Sequence, residues 1–262
     1  QQVRPTLMLT VPLIIEKVYK GKILPTFNEK ALTRYLYKFA PARKLLNRIA
    51  GSKLKKTFGG NLKFFGIGGA KLDPEVERFL IEGKFPYAIG YGLTETSPLL
   101  AGFDSYCGKH QSTGPAMQGV TLKINEPDLA TNQGEIWAKG PNVMKGYYKE
   151  PELTKSVLTD DGWFRTGDLG CFDKSGYLFI KGRLKNMIVG ASGENIYPEE
   201  IESRLNNMPY VSESLIVLQS GKLVALIFPD FDDAFAHGLT QSDIERKMED
   251  NRKELNQSLE SY

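Results

Sequence analysis

The stretch 62–83 constrains the fold more than any other part of the chain. Residues 62–67 form an apolar run of the kind a buried strand carries, and Gly68, Gly69 and Ala70 follow directly. Asp73 can cap a helix and Pro74 suits its first turn, while Val76, Phe79 and Leu80 share one face until Gly83. Strand, glycine turn and helix in that order predict an α/β sheet. A second short strand, 87–89, runs into Gly90, Tyr91 and Gly92. Ligands of α/β sheets sit beyond the carboxyl ends of the strands, and both glycine turns are expected at such ends.

The flanking segments differ in texture. Residues 6–11 read as an extended apolar run. Pro12 opens a helix with Ile14, Ile15, Val18 and Tyr19 on one face, and Gly21 is expected to end it. Asn28 can cap a second helix carrying Leu32, Tyr35, Leu36 and Phe39, and Pro41 restarts it with Leu45, Leu46 and Ile49. Lys30, Arg34, Lys38, Arg43, Lys44 and Arg48 on these helices read as a solvated face. From 112 the pattern turns to short strands, at 120–124, 135–139 and 177–181, with one helix opened by Pro151. Near 183 an α+β pattern begins: a strand at 187–189, a helix from Pro198, strands at 215–218 and 223–228 joined through Ser220 and Gly221, and a helix after Thr240. The expected organisation is a partial α/β subdomain over 1–111, a β-rich, barrel-like subdomain over 112–182 and a small α+β domain over 183–262.

Composition excludes several classes. With 34 basic and 31 acidic residues in 262, the net charge of +3 gives no argument for nucleic acid or for an anionic membrane as a partner. Cys107 and Cys171 lack neighbours at metal-ligand spacing, so a reducing, cytoplasmic setting is expected and a cysteine metal site is not. No run of eighteen apolar residues occurs, so no membrane-spanning helix is expected. His110 and His237 read as surface residues.

Three further segments bear on chemistry. In Gly90-Tyr91-Gly92-Leu93-Thr94-Glu95, a tyrosine between glycines can lie against a planar base. Thr94 offers a hydroxyl to a phosphate oxygen, and Glu95 a hard carboxylate suited to magnesium. A polar loop capped by hydroxyls explains the same residues. In Gly162-Trp163-Phe164-Arg165-Thr166-Gly167-Asp168, a short carboxylate can accept both hydroxyls of a ribose, or sit in an ordinary β-turn. Gly182-Arg183-Leu184-Lys185 could hold ribose or phosphate, or serve as an exposed linker.

Taken together and in order, these segments resemble the motifs of the adenylate-forming superfamily. FFGIGGAKLDPEV resembles its adenine-side turn, YGLTETSP its adenine and magnesium motif, GWFRTGD its ribose motif, and GRLKNMIVGASGENIYPEEIE its hinge and the start of its mobile C-terminal domain. The resemblance spans essentially the whole chain, and the helices over 28–58 look like those of long-chain acyl-CoA synthetases.

The resemblance implies the C-terminal part of an acetyl-CoA-synthetase-like large domain followed by a small α+β domain. It implies Gly68, Gly69, Ala70, Gly90, Tyr91 and Gly92 around adenine, Thr94 at the α-phosphate and Glu95 at Mg2+, the last two as catalytic groups. Asp168 would bind the ribose hydroxyls with Arg183 beside it, Lys185 would be the hinge, and Gly193 would lie near the coenzyme A arm. The implied substrates are a fatty acid, ATP and coenzyme A, in a cytoplasmic enzyme compatible with peripheral membrane attachment. Alternatives are an adenylation domain loading an acyl carrier protein and a noncatalytic nucleotide-binding module. The family's phosphate loop and its C-terminal lysine have no counterpart in these residues, so the chain is expected to be an internal piece, inactive by itself.

Overall fold

The computed structural model describes residues 3–190 and 195–259, which divide into two compact units. One comprises residues 1–166 and 170–180, the other 167–169 and 181–262. The larger unit begins with β1 (Leu7–Thr10) and α1 (Pro12–Val18), which passes through a π-helical turn at Tyr19–Ile23 into α2 (Leu24–Asn28). The expected stop at Gly21 is therefore wrong. Ile15, Tyr19, Ile23 and Phe27 recur at intervals of four and are all buried, so one apolar face carries the helix past a glycine whose penalty is only about 1 kcal/mol.

Helices α3 (Ala31–Tyr37) and α4 (Ala40–Thr57) follow, then β2 (Phe64–Ile67), α5 (Pro74–Glu82), β3 (Tyr87–Gly92) and β4 (Leu99–Gly102). The sheet order is β1-β2-β3-β4, with the first three strands parallel and β4 antiparallel to β3. Leu62, Phe65, Phe79, Leu80 and Phe85 fill its core with Ile15 and Tyr19. Asp73 caps α5 as its sequence predicts: the carboxylate accepts from the backbone N–H of Glu75 at 2.7 Å and of Val76 at 3.0 Å.

A buried carboxylate ties α5 to the loop after β4. Glu77 is fully buried and accepts from the Tyr87 hydroxyl at 3.1 Å and from both the backbone and side-chain N–H of Gln111 at 2.7 Å. Burial pushes its pKa up from the ordinary glutamate value, against the pull of those donors and of nearby His110. A carboxyl whose folded pKa is raised contributes stability that is fully present below its unfolded pKa and is lost as pH rises through the folded value. Urea midpoints of the wild type, relative to Glu77→Gln, should therefore fall from acid to neutral pH. A pH-independent difference would contradict the assignment.

The β-rich part comprises β5 (Thr121–Asn125), β6 (Gly134–Lys139), α6 (Pro151–Val157), β7 (Phe164–Phe172) and β8 (Leu178–Arg183). Its strands form an open sheet in the order β5-β6-β7-β8, correcting the barrel-like expectation. A barrel needs its first strand bonded to its last, and four strands are too few to enclose packed side chains. The segment containing Asp168 is likewise not a turn. It lies within the nine-residue β7, where Phe164, Thr166, Asp168 and Gly170 are buried at alternate positions.

The smaller unit adds β9 (Ile188–Val189), β10 (Asn195–Ile196), α7 (Pro198–Leu205), β11 (Val211–Gln219), β12 (Lys222–Pro229), α8 (Phe231–Ala236) and α9 (Gln241–Leu259). Strands β11 and β12 pair antiparallel through the two-residue turn Ser220-Gly221, both at positive φ. Ile201, Leu205, Ile216 and Leu255 make the unit's core.

Candidate functional site

The parallel registers place the carboxyl ends of β1, β2 and β3 side by side: Thr10 pairs with Ile67, and Ile67 with Ile89. The Gly68 N–H donates to the Thr10 carbonyl at 3.2 Å. A Cβ on Gly68 would stand 3.2 Å from the Gly90 carbonyl oxygen, so the first glycine turn lies against β3. Gly69 and Ala70 are exposed beyond it. Gly90, Tyr91 and Gly92 are the last residues of β3 rather than a turn after it, because β4 pairs with them.

The turn proper is Leu93–Pro98. Gly92 approaches it so closely that a Cβ there would fall 1.6 Å from the Pro98 carbonyl oxygen. Thr94–Thr96 form one 3-10 turn, and Ser97 takes a left-handed conformation at φ 53°. The buried Thr96 hydroxyl accepts from the Leu93 N–H at 3.0 Å and donates to the Pro98 carbonyl at 2.8 Å. These bonds fix the loop and leave Thr94 exposed with Glu95 half-buried beside it.

A second segment clamps the same turn. Asn142 donates through Nδ2 to the carbonyls of Thr96 at 2.7 Å and Leu99 at 2.9 Å. The Met144 N–H donates to the Glu95 carbonyl at 2.8 Å, and the Tyr147 hydroxyl to Glu95 Oε1 at 2.9 Å. Burial, followed by the Glu95 carboxylate, raises the Tyr147 pKa. The sequence carried no signal for Asn142 or Tyr147, because they sit on an irregular stretch with neither periodicity nor a turn signature.

Tyr91 is 8% exposed, packed with Leu100, Ala101, Ile136, Ala138 and Leu178. Among the described residues no group of three acidic, histidine or cysteine side chains could hold a metal ion. A lone carboxylate such as Glu95 suits only a magnesium ion that brings most of its other ligands with it. Such ions use one or two carboxylates and keep phosphate and water ligands, without a resident protein cage.

In the smaller unit, Asp168 is 4% exposed and its Oδ1 lies 2.7 Å from Arg183 Nε, in a charge-assisted bond that sets both side chains. The Arg183 side chain is half-exposed. Lys185 is exposed on the 3-10 turn Leu184–Asn186. Gly193 lies outside the described residues. His110 and His237 are exposed, as expected.

Residues 1–148 match the family model of the AMP-binding enzymes. The chain belongs to that family. This AMP-binding enzyme chain is 31% identical over 249 residues to long-chain-fatty-acid–CoA ligase 1 of Saccharomyces cerevisiae, covering 88% of the chain and 36% of that relative. It is 34% identical over 254 residues to the peroxisomal long chain acyl-CoA synthetase 6 of Arabidopsis thaliana, covering 87% and 36%. The chain thus spans about 36% of the length of these curated relatives. Among solved structures it is similar to ATP-bound MatB from Rhodopseudomonas palustris, at 32% identity and a TM-score of 0.63 over 87% of this chain and 41% of that one. No described helix is long and apolar enough to cross a membrane.

Proposed function

We propose that this chain is part of a long-chain fatty acid–CoA ligase, which activates the acid with ATP and passes it to coenzyme A. The observation that carries the reading is the pinned turn presenting Thr94 and Glu95 at the carboxyl end of a parallel sheet, in a chain related to long-chain ligases. In the first step a carboxylate oxygen of the acid bonds to the α-phosphorus and pyrophosphate leaves. In the second the coenzyme A sulfur bonds to the acyl carbon, its proton is lost and AMP leaves. Neither step needs a protein nucleophile. Both depend on holding the reacting groups in line and offsetting charge.

The roles are those that the resemblance to the adenylate-forming motifs implies for these residues. Thr94 donates its hydroxyl to the α-phosphate. Glu95, oriented by Tyr147, would hold magnesium, which when bound would neutralise phosphate charge. Gly68, Gly69, Ala70, Gly90, Tyr91 and Gly92 make the adenine pocket, with Tyr91 packing against the base. Asp168 accepts the ribose hydroxyls, with Arg183 beside it. In the complete enzyme Glu95→Ala should lower fatty-acid-dependent pyrophosphate release by about 100-fold or more, the loss expected for a group that stabilises transition-state charge. Retained activity would remove Glu95 from the site.

Lys185 is the pivot between the two half-reactions. Proline fixes φ near −65°, a value that a 3-10 turn already uses. Lys185→Pro should accordingly spare adenylate formation and lose most transfer to coenzyme A, while Lys185→Ala spares both. Equal slowing of the two half-reactions by the proline variant would refute the pivot.

A further inference from the structure

We propose that Thr154, on α6, is a positioning residue for the Glu95 carboxylate and acts on it through Tyr147. The inference rests on the reading of Glu95 given above and deepens it, by saying what sets that side chain's direction. Glu95 is held at two levels. Its main chain is fixed by the Met144 N–H on its carbonyl, with Asn142 on the carbonyls of Thr96 and Leu99. None of those bonds aims the carboxylate. The Tyr147 hydroxyl does so, donating to Oε1 at 2.9 Å. Among the described residues no other hydrogen bond reaches the carboxylate, which leaves Oε2 to a cation.

Tyr147 is itself anchored. Its backbone N–H donates to Thr154 Oγ1 at 2.9 Å, and that hydroxyl donates to the Glu150 carbonyl at 2.8 Å. A threonine hydroxyl has one proton. With the proton committed to Glu150, the oxygen meets Tyr147 as an acceptor. Gly146 brings the chain to this point. At φ 144° it takes a conformation that L side chains rarely adopt, and a Cβ there would stand 2.7 Å from Thr154 Cγ2 and 2.9 Å from Oγ1. Two successive residues therefore lie against Thr154, and the second carries the ring that reaches Glu95.

An ordinary helix threonine explains part of this, since such hydroxyls bond back to the carbonyl four residues earlier. It does not explain the bond to Tyr147, nor why α6 is there. A helix of seven residues is far too short to be stable alone in water, and no residue of α6 is buried. Thr154 and Val157 are half-buried and the other five are exposed. Apolar burial thus gives little reason for this helix, whereas the Thr154 bonds give it a task. The donor at the far end of the link is always present. Burial, and then the Glu95 carboxylate, raise the Tyr147 pKa, so the phenol keeps its proton at neutral pH.

The test is a double-mutant cycle on fatty-acid-dependent pyrophosphate release by the complete enzyme. Thr154→Val keeps the shape of the side chain and removes the acceptor. It should slow release about tenfold, the scale for misplacing a group whose outright loss costs about 100-fold or more. In the Glu95→Ala background the same substitution should change the rate by less than about twofold, because it acts only through Glu95. Thr154→Ser keeps the hydroxyl and should recover most of the loss. Tyr147→Phe should repeat the pattern, and it replaces Thr154→Val if a thermal melt shows that variant unfolded. Amide hydrogen exchange in the ligand-free enzyme reads the link without activity: the Tyr147 N–H should exchange faster in Thr154→Val than in the wild type or Thr154→Ser. Equal slowing in both backgrounds would mark a merely structural threonine and overturn the proposal. So would wild-type release by Thr154→Val, no recovery in Thr154→Ser, or unchanged exchange at Tyr147. Wild-type release by Glu95→Ala would bring down the reading of Glu95 and this inference with it, whereas a Glu95→Ala loss without the Thr154 effect brings down the inference alone.

Discussion

Gly92→Ala is expected to destabilise the larger unit by about 3 kcal/mol or more, the upper end of the range for forcing a methyl group into a packed site. The added Cβ would fall 1.6 Å from the Pro98 carbonyl oxygen, which is backbone and has no rotamer to escape into. Either the β3–β4 pairing at Gly92 and Leu99 opens or the Thr94–Thr96 turn moves. In both cases the Thr96 bonds to Leu93 and Pro98 are strained, and Thr94 and Glu95 lose their placement. A loss of that size in a unit of this length lowers Tm by about 6–12 °C. Gly21→Ala is the matching control: nothing lies within 4 Å of its added Cβ, and its place in a helical run should make alanine stabilising by about 0.5–1 kcal/mol. Calorimetry that finds Gly92→Ala as stable as the wild type would show that the turn is not fixed as described.

Asp168→Ala is expected to weaken ATP binding to the complete enzyme by about 1–3 kcal/mol, the range for hydrogen bonds to a charged acceptor. That corresponds to roughly 5- to 150-fold in Kd. The carboxylate is buried in β7 and oriented by Arg183 at 2.7 Å, so its position is set before any ligand arrives. Preorganisation of this kind is what makes a ribose contact worth several-fold in affinity. Titration of ATP against the variant, with circular dichroism to confirm folding, decides the matter. Unchanged affinity in a folded variant would take the ribose role away from Asp168.

The elements most legible in the sequence were those with local punctuation. Asp73 with Pro74 set the start of α5, and Ser220-Gly221 set the turn of the β11–β12 hairpin, whose first strand starts four residues before the expected one. Each works through backbone chemistry that needs no tertiary partner. Elements whose signal is tertiary were misread. Gly21 looked like a stop until Ile15, Tyr19, Ile23 and Phe27 were seen to share one buried face. For Asp168 only the β-turn alternative fails: Gly167 and a carboxylate interrupt the apolar alternation of β7, which pairing with neighbouring strands restores. The alternation was present at Phe164, Thr166 and Asp168, but two of those three are polar and conceal it.

The site divides the same way. The placement of Gly92 in a close backbone approach and of Thr94 in an exposed turn follows from residue type, while their roles toward a ligand are part of the proposal. Tyr147, the donor that orients Glu95, was not legible, because its partner lies 52 residues away in sequence. The basic residues of α3 and α4 read as a solvated face, and all of them but Arg43 and Lys55 are exposed.

The activity we propose for the complete enzyme is adenylation of long-chain fatty acids. Its most direct test is ATP–pyrophosphate exchange by the complete enzyme, measured with magnesium across acids from short to long chain and with malonate and benzoate as comparison acids. Exchange should depend on fatty acid, favour long chains, and collapse in Glu95→Ala. Exchange supported by malonate or benzoate but by no fatty acid, or no exchange with any acid from an enzyme that binds ATP, would contradict it.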